Sequence, residues 1–194
     1  MHRADPLAVR RLFRNLARTG DLAATVPEIY EPDPHPFGGL TGTKITHDRA
    51  DSEAILAHLR QDDPPLRRPE LSAMLLDTLL KAAGLDRPTR RDLYTRLAAT
   101  RPTPDPTSAR RLGAELLAVL AEPASDLATF ASWRDGYATA GSRLADATAT
   151  GHLTCELTDV LTSIVDSHWN RLGLTIATQS TLAHAATHAY LTRG

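Results

Sequence analysis

The segment around His168 carries side chains suited to proton transfer and to anion binding. His168 falls on the apolar face of a predicted helix, in a stripe formed with Leu157, Leu161, Ile164 and Leu172. A buried imidazole beside a carboxylate such as Asp166 or Asp48 could act as a tuned acid or base, whereas a lone histidine on an apolar face is more often part of the core. Asn170 and Arg171 leave this stripe, and the planar guanidinium of Arg171 suits a carboxylate ligand.

A proline-rich segment between residues 30 and 39 gathers a second group of polar side chains. Its candidate binding residues are Glu31, His35, Phe37, Gly38 and Gly39, with Asp33 between the prolines. Prolines hold such a loop at low entropy, and adjacent glycines let a substrate approach the backbone. The alternative is a surface crossover whose prolines prevent strand pairing.

Two further histidine groupings have helical spacing. His47 and Asp51 are four residues apart, which could orient an imidazole for proton transfer or could place acidic residues at a helix N-terminus. His184 and His188 have the same spacing but no carboxylate or cysteine nearby in the sequence, so no metal site is predicted. The sequence contains no phosphate-binding loop, dinucleotide fingerprint, GxSxG or CxxC motif, and no cofactor is predicted.

Most of the segments that carry these groups have apolar residues at helical spacing. We expect helices at 6–18, 46–59, 69–83, 108–121, 126–150, 153–172 and 175–191, with another following Pro88. A small β element is expected near residues 25–31, leading into an irregular loop closed by Gly38 and Gly39, and a proline-rich linker at 101–107. The predicted fold is a mainly α, multi-helix domain.

Composition narrows the class of protein. A chain of 194 residues with 42% hydrophobic residues predicts one globular domain spanning 1–194. Its 22 basic and 23 acidic residues nearly cancel, which does not favour nucleic acid as a partner. The single cysteine, Cys155, excludes an internal disulfide framework. Because no apolar stretch follows the first residues, neither a signal peptide nor a membrane span is predicted, and we expect a cytoplasmic protein.

Four stretches resemble the C-terminal domain of lantibiotic dehydratases, also called the thiopeptide-type bacteriocin biosynthesis domain. The first, from Ile29 to Gly39, is similar to a family element written YEPE-x-x-x-[FY]-GG. The others are His47–Ser52, Arg68–Ser72 together with Ala82–Asp86, and His168–Leu174, which is similar to a final HWNRLGL signature. Residues 1–25 do not match the α/β section with which the family usually begins, so we expect the chain to correspond to the later part of that domain.

The resemblance implies a role in making ribosomally synthesised, modified peptides. Such domains eliminate glutamate from glutamylated serine or threonine of a precursor peptide, after a partner dehydratase subunit has added it, and leave dehydroamino acids. By this resemblance His168 is the expected base or acid, Arg171 the expected carboxylate ligand, and His47, Glu31 and His35 the supporting wall. Asn170, Phe37, Gly38 and Gly39 complete the expected binding residues. No metal, organic cofactor, direct nucleic-acid contact or membrane is implied.

Departures from the family pattern keep two alternatives open. Pro36 stands where many members have arginine, and Asp166 and Ser167 stand where many have a His-Met pair. One alternative is a non-catalytic accessory subunit that docks the peptide or the partner enzyme. The other is a formal [4+2] cycloaddition enzyme that builds a pyridine ring, the reaction of related stand-alone members.

Overall fold

The computed structural model describes residues 33–47, 64–121 and 130–192, together with the isolated helical residue Arg18. A short 3₁₀ turn at His35–Phe37 comes first. It is followed by helices α1 (Gly39–His47), α2 (Arg68–Ala82), α3 (Arg87–Ala99), α4 (Pro106–Ala121), α5 (Ala131–Ala149), α6 (Leu157–Arg171) and α7 (Ile176–Thr192). Across these ranges there is no strand, and the predicted mainly α fold is confirmed.

Several predicted elements lie outside the described residues. These are the β element near 25–31, all of the 6–18 helix except Arg18, and the part of the 46–59 helix beyond His47. The chain divides into two compact units, residues 1–32 and 33–194, and the described helices α1 to α7 belong to the second.

The segment before α1 differs from the irregular loop expected there. Pro34 accepts backbone hydrogen bonds from Phe37 (3.2 Å) and Gly39 (2.8 Å), which closes the 3₁₀ turn. Helix α1 then starts at Gly39, seven residues before the expected start near Thr46. The sequence interpretation missed the 3₁₀ turn because prolines are compatible with the first positions of a helical turn, where no backbone donor is needed.

Local signals explain where the next helices begin. Proline occupies one of the first two positions of α2 and of α3, where its fixed φ favours helix initiation. Asp86 caps α3 by accepting a hydrogen bond from the backbone N–H of Thr89 at 2.9 Å. Asp105 does the same for α4, with a 2.8 Å bond from Ser108. Residues 100–105 connect α3 to α4.

Helix α2 lies at the centre of the fold and packs against α4, α5, α6 and α7. Its leucines and Met74 point in several directions and are nearly all buried, as expected for a helix that is apolar on most of its surface. Helix α7 packs mainly against α3 and α4, and α5 packs mainly against α2. None of the described helices is both long enough and apolar enough to cross a bilayer.

Candidate functional site

The sequence His168–Leu174 forms the end of α6. Gly173 adopts a left-handed conformation (φ 65°), and the Leu174 N–H donates back to the Trp169 carbonyl at 3.0 Å. This pattern is a glycine-terminated helix end. Trp169 is completely buried, and its indole N–H donates to the hydroxyl of Ser72 on α2 at 3.0 Å. Much of the motif is therefore explained by packing of α6 on α2.

His168 is fully buried, as its place in the apolar stripe predicts. Its Nδ1 shares a 2.7 Å hydrogen bond with the hydroxyl of Tyr137 on α5. The two rings meet edge to face, with centroids 5.6 Å apart. A peptide cannot touch this imidazole in the conformation described, so direct proton transfer would require the surrounding helices to move.

A group of polar side chains surrounds the same end of α6, and we call it the α6 C-terminal cluster. It comprises Arg68, Arg101, Asp166, Asn170, Arg171 and Gln179. Arg101 forms an ion pair with Asp166 and also donates to Oε1 of Gln179 at 3.3 Å. The Gln179 amide donates in turn to Oδ1 of Asn170 at 3.0 Å. Hydrogen bonds thus connect the exposed Asn170 with the α3–α4 connection.

Burial within this cluster is uneven. The Arg101 side chain is only 7% exposed, whereas that of Asp166 is 45% exposed. The Arg101 guanidinium lies 5.0 Å from the centroid of the Trp169 ring, a cation–π contact, and donates to the Leu97 carbonyl at 2.8 Å. The Arg101 guanidinium thus contacts Asp166, Trp169 and the Leu97 carbonyl, and these contacts fix its position within the cluster.

Two other arginines lie closer to the surface. Arg68 is exposed and donates to the Leu172 carbonyl at 3.4 Å, and Arg171 is half-buried at the last turn of α6. Arg68, Arg101 and Arg171 thus all lie at the C-terminal end of α6, and guanidinium groups suit carboxylate ligands.

The 33–39 segment lies at the other end of α6. Its Gly38 carbonyl accepts from the Thr154 N–H at 3.1 Å, and a Cβ at Gly38 would lie 2.9 Å from Cγ2 of Val160. Gly38 also has a positive φ of 74°, which other residues rarely adopt. Packing and backbone geometry therefore explain this glycine without a bound substrate. His35 is exposed, and its N–H donates to the carboxylate of Asp33 at 3.0 Å.

The described residues do not bring the two groups of predicted site residues together. Val160 contacts the 33–39 segment, whereas Asn170 lies ten residues later on α6, about 15 Å further along the helix axis. Glu31, Asp48 and Asp51 lie outside the described residues. His47 ends α1, and its side chain also lies outside them.

Sequence reasoning missed Arg101, Gln179 and Tyr137. Arg101 lies at the start of the predicted linker, and its partners Asp166 and Gln179 follow 65 and 78 residues later. No local pattern could pair them. Tyr137 is buried on α5, and only the helical period of its neighbours could have indicated an inward-facing position.

His184 and His188 line a cleft of about 280 Å³ between α7 and the start of α4, together with Pro104 and Arg110. Among the residues that the structure describes, no three histidine, cysteine, aspartate or glutamate side chains are grouped as metal ligands.

The model of a family described as the lantibiotic biosynthesis dehydratase C-terminal domain matches residues 4–190 of the chain. Neither a curated protein nor a solved structure gives a significant match.

Proposed function

Because this chain belongs to the lantibiotic biosynthesis dehydratase C-terminal family, we propose that it eliminates glutamate from a glutamylated precursor peptide. In this reaction a base removes the Cα proton of a glutamylated serine or threonine. The Cβ–O bond breaks, a Cα=Cβ double bond forms, and glutamate leaves with the bonding electron pair. The enzyme must therefore stabilise negative charge on the peptide and bind the departing carboxylates.

The observation that supports this assignment is the group of three arginines in the α6 C-terminal cluster, one of which, Arg171, lies in the stretch similar to the family signature. Arg171 and Arg68 are near the surface, where a glutamyl group could be bound by paired N–H donors. Arg101 is engaged by Asp166 and Trp169, so we assign it to positioning. Asn170 is exposed beside Arg171 and offers an amide to the peptide backbone.

The role of His168 as base or acid stays a prediction. Its imidazole could act only if the substrate displaces part of the surrounding packing, since the ring is fully buried. If it instead fixes the end of α6, its replacement would change stability and leave the chemical step intact.

A reconstituted reaction tests the proposal. The full chain is incubated with a glutamylated precursor peptide, and the peptide mass and free glutamate are measured. We expect glutamate release, reduced at least tenfold by Arg171→Gln, which removes one charge-assisted contact. Arg111→Gln is the matched control, because Arg111 lies on the surface of α4 with a side chain that is 76% exposed. Equal rates for the two variants would contradict the assigned role of Arg171.

The burial of His168 favours a second candidate, a non-catalytic subunit that docks the precursor peptide or the glutamylating partner. The separation of the two groups of predicted residues along α6 favours it as well. In the same experiment this candidate predicts saturable peptide binding with no change in peptide mass. Binding that depends on Arg171 without glutamate release would replace the elimination proposal with this one.

A further inference from the structure

A second group of cations, from α2 and α3, lies beside the C-terminal part of α7, whereas the α6 C-terminal cluster lies near the start of α7. These cations line a cleft of about 340 Å³, which we call the α2–α3–α7 cleft. It is formed by Asp77, Lys81, Arg87, Arg90, Leu120, Ala189 and Tyr190. Tyr190 follows Gln179 by eleven residues on α7, so the two groups are about 16 Å apart along that helix. This volume is in the range of small-molecule sites.

One carboxylate in this cleft is already fully engaged. Asp77 accepts from Arg90 at 2.6 Å, from the Tyr190 hydroxyl at 2.8 Å and from Lys81 at 2.6 Å. Arg90 also lies over the Tyr190 ring, 5.1 Å from its centroid. Burial raises the pKa of Tyr190, which therefore stays neutral and contributes a hydroxyl without charge.

Among the residues that the structure describes, the cations of the cleft outnumber its acid. Lys81, Arg87 and Arg90 carry three positive charges against the one negative charge of Asp77, which leaves an excess of two. Arg87 uses its Nε to donate to the Tyr190 carbonyl at 2.8 Å. Its Nη2 is shielded from solvent and has no hydrogen-bond partner among the residues that the structure describes. A shielded guanidinium N–H without an acceptor is costly, and rotation of the Arg87 side chain towards the cleft would let an anion supply that acceptor.

We propose that the α2–α3–α7 cleft binds a small anion through a carboxylate or phosphate group held by Arg87 and Lys81. The planar guanidinium suits the paired oxygens of either group, and the Lys81 ammonium, which also pairs with Asp77, adds a second charge on a side chain that is 54% exposed. Leu120 and Ala189 provide apolar surface for a short carbon chain. The site is separate from the α6 C-terminal cluster and does not depend on the activity proposed there.

Titration of the full chain with inorganic phosphate and, separately, with glutamate tests this site. Calorimetry is performed at constant ionic strength, and the Arg87 side-chain N–H signal is followed by NMR. We expect saturable binding of at least one anion, a shift of the Arg87 signal, and affinity about tenfold weaker in Arg87→Gln and in Lys81→Gln. The anion that binds more tightly identifies the preferred group.

Arg91→Gln is the matched control. Arg91 lies on the same helix as Arg87 but pairs with Asp92 and does not line the cleft. The Arg91→Gln variant should bind phosphate and glutamate with the affinity of the unmodified protein. If Arg87→Gln fails to fold, Lys81→Gln decides alone, because that side chain is mostly exposed. Absence of saturable binding, or equal affinity in Lys81→Gln and Arg91→Gln, would overturn the proposal.

Discussion

The hydroxyl of Tyr137 lies 2.7 Å from Nδ1 of His168, and both side chains are almost completely buried. This hydrogen bond joins α5 to the last turns of α6, directly beside the segment that carries Asn170 and Arg171. A buried polar atom without a hydrogen-bond partner destabilises a fold. Tyr137 supplies that partner to His168, the first residue of the stretch similar to the family signature.

Tyr137→Phe should destabilise the protein while keeping the aromatic packing. Loss of the hydroxyl removes one hydrogen-bond partner from a buried imidazole, which costs about 1–3 kcal/mol. Urea denaturation measures this change in the free energy of unfolding. Tyr94→Phe is the control, since the Tyr94 hydroxyl makes no hydrogen bond within the described part of the chain although the ring is equally buried. Equal losses would show that the hydroxyl bond contributes little.

Helical periodicity was enough to predict most of the fold that this pair belongs to. The apolar stripe of α6 placed His168 on the inner face, and a break was expected between the helices at 153–172 and 175–191. Both predictions are confirmed. Periodicity works here because a helix buries one face, and the spacing of apolar residues shows which one.

The candidate site was much harder to predict. The partners of Arg101 are distant in sequence, so the α6 C-terminal cluster exists only after α3, α6 and α7 have packed. The two predicted groups of functional residues lie along one helix: Val160 packs on the 33–39 segment, and Asn170 follows ten residues later on α6. Sequence order gives no information about such a separation until the packing partners are known.

Gly141→Ala should be strongly unfavourable, because α5 approaches α2 closely at this residue. A Cβ at Gly141 would lie 2.4 Å from the Leu79 carbonyl oxygen and 2.8 Å from Cβ of Ala82. The two helices must separate to relieve this steric overlap. Overpacking of a core typically lowers the free energy of unfolding by about 1–3 kcal/mol. The free energy of unfolding from chemical denaturation measures the loss.

Gly136→Ala provides the matched control on the same helix. A Cβ at Gly136 would meet no atom within 4 Å, so the substitution should stabilise α5 by about 0.5–1 kcal/mol through helix propensity. The two substitutions should therefore have opposite signs. Stabilisation by both would mean that α5 and α2 are not in close contact at Gly141.

The ion pair between Arg101 and Asp166 should contribute more than an exposed pair. Arg101 also holds the Leu97 carbonyl and the Trp169 ring, so Arg101→Met should cost about 2–3 kcal/mol. Asp166→Ala should cost less, about 1 kcal/mol, because that carboxylate is nearly half exposed and solvent screens it.

A double-mutant cycle isolates the coupling between these two residues, which we expect to be about 1 kcal/mol. The pair Arg96–Asp159 is the control, since both of its side chains are more than half exposed and its nitrogen–oxygen distance is 3.4 Å. Its coupling should be near zero. A coupling no larger for Arg101–Asp166 than for the control pair would show that burial of Arg101 does not strengthen the interaction.

Acid should weaken the helix N-termini capped by Asp86 and Asp105. Hydrogen bonds from Thr89 hold the pKa of Asp86 below its usual 3.8, and hydrogen bonds from Ser108 do the same for Asp105. A pKa lowered by folding stabilises the folded state fully above the unfolded pKa, and this contribution is lost as pH falls through the folded pKa. The loss should therefore appear only below about pH 4.

The double variant Asp86→Asn/Asp105→Asn separates this charge effect from capping itself. Asparagine is also a good N-cap but does not titrate, so the variant should lose less stability than the unmodified protein between pH 7 and about pH 3. Urea denaturation at both pH values measures the difference. Asp135→Asn is the control, because Asp135 lies within α5 and caps no helix start, and it should retain the full acid-induced loss. If the double variant loses as much stability in acid as this control, the two caps do not couple protonation to folding.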